Sequence, residues 1–256
     1  MKRLFPFLVI FLLSSVSVFA QVGDHRNDFS IGFNGGMAMT TVGFMPEVPQ
    51  NMHNGITGGI TLRYTSEKYF NSICAIVAEV NYAQLGWKEK IQTPNDLPVI
   101  NKVTGLAEEY QRDLTYLQVP VMARMGWGRE RRGLQFFVQA GPQIGFFLNE
   151  KTQMNFPWDS RTPVYQDGSG RTSSVIAQDT MSVQRKVDYG ICAGAGLELS
   201  LKHVGHFLLE GRYYYGLGDI FNNSKRDYFG RSNLNVITVK LTYLFDITRT
   251  KNSKIK

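Results

Sequence analysis

The sequence predicts an all-β fold, an eight-stranded antiparallel up-and-down transmembrane β-barrel with short periplasmic turns and long external loops. Three observations carry that prediction. Eight stretches alternate with period two between a continuously apolar face and a polar one. The connections between them alternate short and long. Aromatic side chains on the apolar faces gather towards the two ends of the stretches, as in girdles at lipid–water boundaries.

The chain has 256 residues. It opens with Lys2 and Arg3, continues through an apolar run to Val18, and reads Val18-Phe19-Ala20 before Gln21, the pattern of a secretory signal peptide over residues 1–20. Gln21 in place of a cysteine argues against a lipoprotein. No later run approaches the roughly 18–20 apolar residues of a membrane helix, so an exported protein that crosses a membrane must do so with strands. The expected organisation is an N-terminal periplasmic segment at 21–28, a barrel at 29–247 and a basic, disordered tail at 248–256. Of 28 basic residues, Lys2 and Arg3 fall in the signal, leaving 26 against 21 acidic ones. Such an excess in an exported chain suits acidic lipid head groups or solvation, and nucleic acid is not an expected partner.

The strands are expected at 29–38, 55–64, 73–85, 115–127, 135–148, 188–201, 207–215 and 236–247. The last shows the pattern well: Ile237, Val239, Leu241, Tyr243 and Phe245 share one face, and Thr238, Lys240 and Thr242 lie on the other. In a barrel this strand must pair with both the first and the seventh, because lipid tolerates no open edge. Its aromatic end also resembles the C-terminal signal read by barrel-assembly machinery, an expected partner during biogenesis. Connections 65–72, 128–134 and 202–206 are short, and 39–54, 86–114, 149–187 and 216–235 are longer. One aromatic girdle is expected from Phe29, Tyr64, Trp127, Phe136, Phe207, Tyr243 and Phe245 at the short-turn rim. Tyr82, Phe146, Tyr189 and Tyr215 belong to the other rim.

The polar faces carry Arg63, Glu79, Arg124, Glu198, Glu210, Arg212 and Lys240. An eight-stranded barrel has room inside only for its own side chains, so these seven are expected to form a packed polar lumen network, with facing glycines making space for long partners such as Arg124 and Tyr214. Alternation alone does not say which face is inside; a soluble lipocalin-like barrel has the opposite sense, and the girdles favour the membrane version. Cys74 and Cys192 fall on opposite faces and are expected as free thiols.

Several segments resemble a known family: Phe33-Asn34-Gly35-Gly36, Ser66-Glu67-Lys68-Tyr69-Phe70, Asn81 to Trp87, Tyr116-Leu117-Gln118-Val119-Pro120-Val121 and Ala140-Gly141-Pro142-Gln143. Together they resemble the PorT-like outer-membrane β-barrel family of the Bacteroidota. That resemblance implies an eight-stranded barrel in the outer membrane, surrounded by its lipids. Through the founding member it also implies an accessory part in type IX protein secretion.

Motifs for chemistry are weak, so no catalytic, cofactor-binding or metal-binding residue is expected. His203-x-x-His206 lacks further ligands nearby and reads as a solvated turn. His53 at the external rim, with Ser173 or Ser174, is the nearest approach to a hydrolase, and no motif fixes their geometry. Gly190, Gly194 and Gly196 lie within a strand, outside the context of a dinucleotide turn. The prolines and apolar groups of 45–49 and 157–165 suit either contact with a protein partner or closure over the barrel mouth. The expected role is therefore structural or partner-binding through the external loops. The alternatives are the secretion role, a barrel enzyme or a narrow channel.

Overall fold

The computed structural model describes residues 24–69, 71–93, 95–101, 103–129, 132–156, 178–202, 204–222 and 227–250. Its strands are β1 (Asp24–Met45), β2 (Gln50–Asn51), β3 (His53–Tyr69), β4 (Ser72–Lys90), β5 (Glu109–Gly128), β6 (Gly133–Met154), β7 (Val187–Leu201), β8 (Gly205–Gly216) and β9 (Arg231–Thr248). Setting aside the two-residue β2, which adds to β4 at the long-loop end, eight strands remain. Each pairs antiparallel with its sequence neighbour, and β9 also pairs with β1, Phe33 opposite Tyr243 and Met37 opposite Val239. That closes the sheet. All eight stretches expected from the sequence lie inside observed strands.

The strands run well past the expected ends. β6 has 22 residues, about 70 Å of extended chain, and at a tilt near 40° stands about 55 Å tall against an apolar band of about 25 Å. Much of what reads as long loop is thus wall: β1 continues to Met45, β4 to Lys90 and β6 to Met154, while β5 begins at Glu109 and β9 at Arg231. The physical reason is a change of solvent. On β5, Leu117, Val119, Val121, Ala123 and Met125 face outward, but above them the same parity carries Thr115, Asp113, Gln111 and Glu109. The inward parity carries Tyr116, Leu114 and Tyr110, all buried. Above the bilayer, water lies outside, so the sense of the alternation inverts while its period persists. On β6 the shift is made by a bulge between the Tyr116–Phe147 and Thr115–Asn149 pairs, where the extra residue, Leu148, flips the parity.

At the other rim the expected girdle residues face outward. Trp127 stacks on Phe136 with ring centroids 6.2 Å apart, and Phe207 lies 5.0 Å from Tyr243. The Tyr243 hydroxyl donates to the Val204 carbonyl at 2.6 Å. The segments flanking the barrel differ from expectation. Asp24 to Asp28 already belong to β1 and lie beside Thr65 to Lys68. Thr250 is tied back, its amide donating to Asp28 Oδ1 at 2.5 Å and its hydroxyl accepting from the Asn27 amide at 2.8 Å. Residues 248–250 are therefore no free tail; 251–256 lie outside the described residues. Cys74 and Cys192 are free thiols.

Leu241 is outward and central in the belt, between Tyr243 and Val239 on β9. Leu241→Arg should lower barrel stability by about 2–4 kcal/mol, the cost of a cation at mid-bilayer depth. Urea unfolding in lipid vesicles measures it, and an unchanged midpoint would remove Leu241 from the lipid face.

Candidate functional site

The lumen is stacked in storeys, and the seven charged residues expected there divide between two of them. Nearer the short-turn rim, Arg63 on β3 donates to both carboxylate oxygens of Glu198 on β7 at 2.9 Å, and Arg124 on β5 bonds the same carboxylate. Further in, Arg212 on β8 makes a two-pronged pair with Glu79 on β4 at 2.9 and 3.0 Å. Lys240 on β9 donates to Glu79 at 2.5 and 2.6 Å, and Arg212 Nη2 reaches Glu210 Oε1 at 2.6 Å. This second group holds two cations and two anions. All seven side chains are buried; Glu79 and Lys240 are each 2% exposed. Removed from water, such charges persist only because their partners are held in place by the closed wall.

Asn34 donates to Thr61 and Asn81, Asn81 donates to Glu79, and Gln139 donates to Glu210, so uncharged side chains extend the second storey into a wider polar web. Glycines make room where long side chains cross. A Cβ on Gly190 would stand 2.8 Å from the Tyr214 ring, and one on Gly196 would stand 2.6 Å from Phe137. The Phe137 ring in turn lies 3.8 Å beneath the Arg124 guanidinium. A void of ≈ 10 Å³ is bordered by Arg212, Tyr214 and Lys240.

The lumen is not polar throughout, and here the sequence-based expectation is corrected. Its long-loop end is closed by an apolar plug that includes Phe44, Leu85, Trp87, Tyr110, Phe221 and Phe229. Trp87 meets Phe44 edge-on at 5.4 Å and Phe221 at 6.0 Å. Its indole donates to Gln178 Oε1 at 2.5 Å, and Gln178 in turn donates to Glu89 at 2.6 Å. Arg112 donates to the Gln178 and Met181 carbonyls at 2.8 and 2.5 Å, which fastens residues 178–181 against the plug. Burial pushes the Tyr110 phenol up to about 12, so it stays neutral in this dry storey. Val48, from the proline-bearing segment 45–49, is buried in the plug, so that segment folds over its own mouth. Residues 157–165 lie outside the described residues.

The histidines also differ from expectation. His206 sits inside, its Nδ1 2.7 Å from Glu198 Oε1 and its Nε2 3.1 Å from Asp246 Oδ2, rather than in a solvated turn. Position 203 lies outside the described residues. Ser200 Oγ is 2.8 Å from the same Nδ1, so serine, histidine and aspartate are aligned. The alignment makes a poor nucleophile: Ser200 is 1% exposed, and the nitrogen that would take its proton already faces Glu198. Ser173 and Ser174 lie outside the described residues. His53 pairs with Asp113 at 2.8 Å on the wall above the belt. Among the described residues no cluster of histidine, cysteine, aspartate and glutamate is placed to hold a metal ion. The lumen signals legible in the sequence are the charges of the belt; Trp87 and Arg112 escape it because the alternation around them carries the inverted sense, and Gln178 because it lies on a short helical turn outside the strands.

Among solved structures, the chain is similar to neisserial surface protein A (NspA), with 9% identity, a TM-score of 0.43, and coverage of 85% of this chain and 97% of that one. It is also similar to OprG from Pseudomonas aeruginosa, with 14% identity, a TM-score of 0.42, and coverage of 87% and 98%. A third is the attachment invasion locus protein Ail of Yersinia pestis, solved with the heparin analogue sucrose octasulfate, with 13% identity, a TM-score of 0.35, and coverage of 86% and 99%. No curated protein sequence matches the chain significantly. The family model described as outer membrane protein beta-barrel domain matches residues 19–222, most of the chain and all strands from β1 to β8, and the protein belongs to that family.

Proposed function

We propose that this protein is a non-enzymatic outer-membrane barrel that works through contacts of its external wall and loops, with its lumen serving as a structural core. The observation that carries the reading is the doubly closed lumen. The Glu79–Arg212–Lys240–Glu210 group fills the belt, and the Trp87 plug seals the long-loop end above it. A wall that stands well clear of the bilayer then supplies the accessible surface, and partner contact is the use such a surface suits. In this reading residues 1–20 direct export, and outer-membrane lipids surround the belt. The PorT-like and Bacteroidota assignments, and with them an accessory part in type IX secretion, rest on the segment resemblances alone.

The purified protein reconstituted in planar lipid bilayers should show no stepwise ion conductance at voltages where open barrels of larger strand number conduct. Reproducible single-channel steps abolished by boiling would overturn the closed-lumen reading in favour of a narrow channel.

A further inference from the structure

The wall above the belt is unlike ordinary solvated sheet on the β3 to β6 side. Tyr82, Leu117 and Phe146 lie side by side in register and end the apolar belt there. Directly above them stands a row of Gln84, Thr115 and Asn149, then Gly86, Asp113 and Lys151, then Lys88, Gln111 and Gln153. Two residues of tilted strand rise about 5 Å along the barrel axis, so these rows sit about 5, 10 and 15 Å above the aromatics. The first row lies within the roughly 5–8 Å head-group layer of a leaflet, and the upper two stand just above it, at the level of sugars carried on a lipid head group.

These rows border a cleft of ≈ 360 Å³ whose walls also include His53 and Asn54. Its centre is built. Asp113 Oδ1 accepts from Gln111 at 2.7 Å and lies 2.8 Å from His53 Nε2, and Asp113 Oδ2 accepts from Gln153 at 2.7 Å. His53 reaches it from β3 across β4. Gly86, opposite Asp113 in the register and held at a φ of 152°, puts no side chain between them. The His53 side chain is 6% exposed, yet its Nδ1 has no hydrogen-bond partner among the described residues. A buried ring nitrogen left unpaired costs free energy unless something outside the chain completes it.

We propose that this cleft binds the sugar head group of an outer-leaflet glycolipid. Carboxamides at Asn54, Gln84, Gln111, Asn149 and Gln153 both donate and accept, as a polyol requires, and an oriented carboxylate accepts from vicinal hydroxyls. A bare phosphate or another anionic head group fits poorly, because the Asp113 carboxylate would face it across the cleft with Lys151 as the one lysine on the lining, Glu150 being already paired with Arg112 at 2.6 Å. Lys151 suits a single acidic substituent on the sugar. The depth selects the source: a glycolipid anchored in the leaflet presents its sugars at these rows, while its acyl chains lie against Tyr82 and Phe146. The inference depends on the barrel's membrane placement and is independent of whether the lumen conducts.

The test titrates the detergent-solubilised full-length protein with lipopolysaccharide, with the soluble oligosaccharide released from it by mild acid, and with phosphatidylglycerol vesicles. Lipopolysaccharide should bind, and the exposed-site variant Gln153→Ala and the isosteric Asp113→Asn should each weaken it about tenfold, the scale of one charge-assisted hydrogen bond. Both should keep heat-modifiable gel mobility, which certifies a closed barrel. Unchanged affinity in both variants, or phosphatidylglycerol binding as tightly as lipopolysaccharide, would overturn the site. Oligosaccharide binding as tight as that of the whole lipid would overturn the membrane source while supporting the sugar chemistry.

Discussion

Glu79→Ala should destabilise the barrel by about 3–5 kcal/mol, the usual cost of removing one partner from a buried ion-pair group. Glu79 holds Arg212 through two bonds and Lys240 through two more, so its loss leaves both cations sharing Glu210 alone, with Lys240 Nζ 3.5 Å from it. Water cannot reach them to compensate, because the wall is closed and the plug lies above. The measurement is the temperature at which heat-modifiable mobility is lost, supported by urea unfolding in vesicles. A variant melting within a degree or two of the parent would show that the group is solvated and the lumen open. The double variant Glu79→Ala with Lys240→Met removes one charge of each sign, and it should recover part of the loss.

Trp87→Ala should cost about 3–5 kcal/mol as well, but locally. The indole is fully buried between Phe44 and Phe221, and it is the donor that fixes Gln178, itself fully buried. Without it the plug has a cavity, and Gln178 has an unpaired carbonyl oxygen. Hydrogen exchange should accelerate in 109–116 and 178–186 while the belt strands stay protected, since the ion-pair storeys below do not touch Trp87. The variant should still fail to conduct, because those storeys remain. Uniform acceleration through the belt would show that plug and belt unfold as one unit, contrary to the storeyed lumen described above.

How far each feature could be read from the chain depends on which solvent its side chains meet. Every belt strand was legible because lipid outside and a polar core inside impose opposite demands on successive residues. Lys240 between Val239 and Leu241 shows this on β9, and Glu79 between Ala78 and Val80 shows it on β4. The extramembrane wall reads as loop for the same reason. In residues 109–116, Glu-Tyr-Gln-Arg-Asp-Leu-Thr-Tyr, the period is still two, but polar residues have taken the outward parity. A search for a continuous apolar outer face ends at Leu117. An alternation tracked without regard to its sign would have carried β5 to Glu109.

The sequence alone determined the strand number, the closed antiparallel order, the sense of the belt and the seven charges inside it. Those follow from period-two patterning, short-range turns, the aromatic girdles that set the sense, and the prohibition on open edges in lipid. Only the tertiary structure decided which charges meet, because Glu79 and Lys240 are 161 residues apart and their pairing depends on barrel closure and register. It also placed His53 beside Asp113 across an intervening strand, and set Trp87 from β4 against Phe44 from β1 and Phe221 from the β8–β9 connection. Contacts across a lumen join residues whose separation along the chain carries no periodic signal, and the fold alone brings them together.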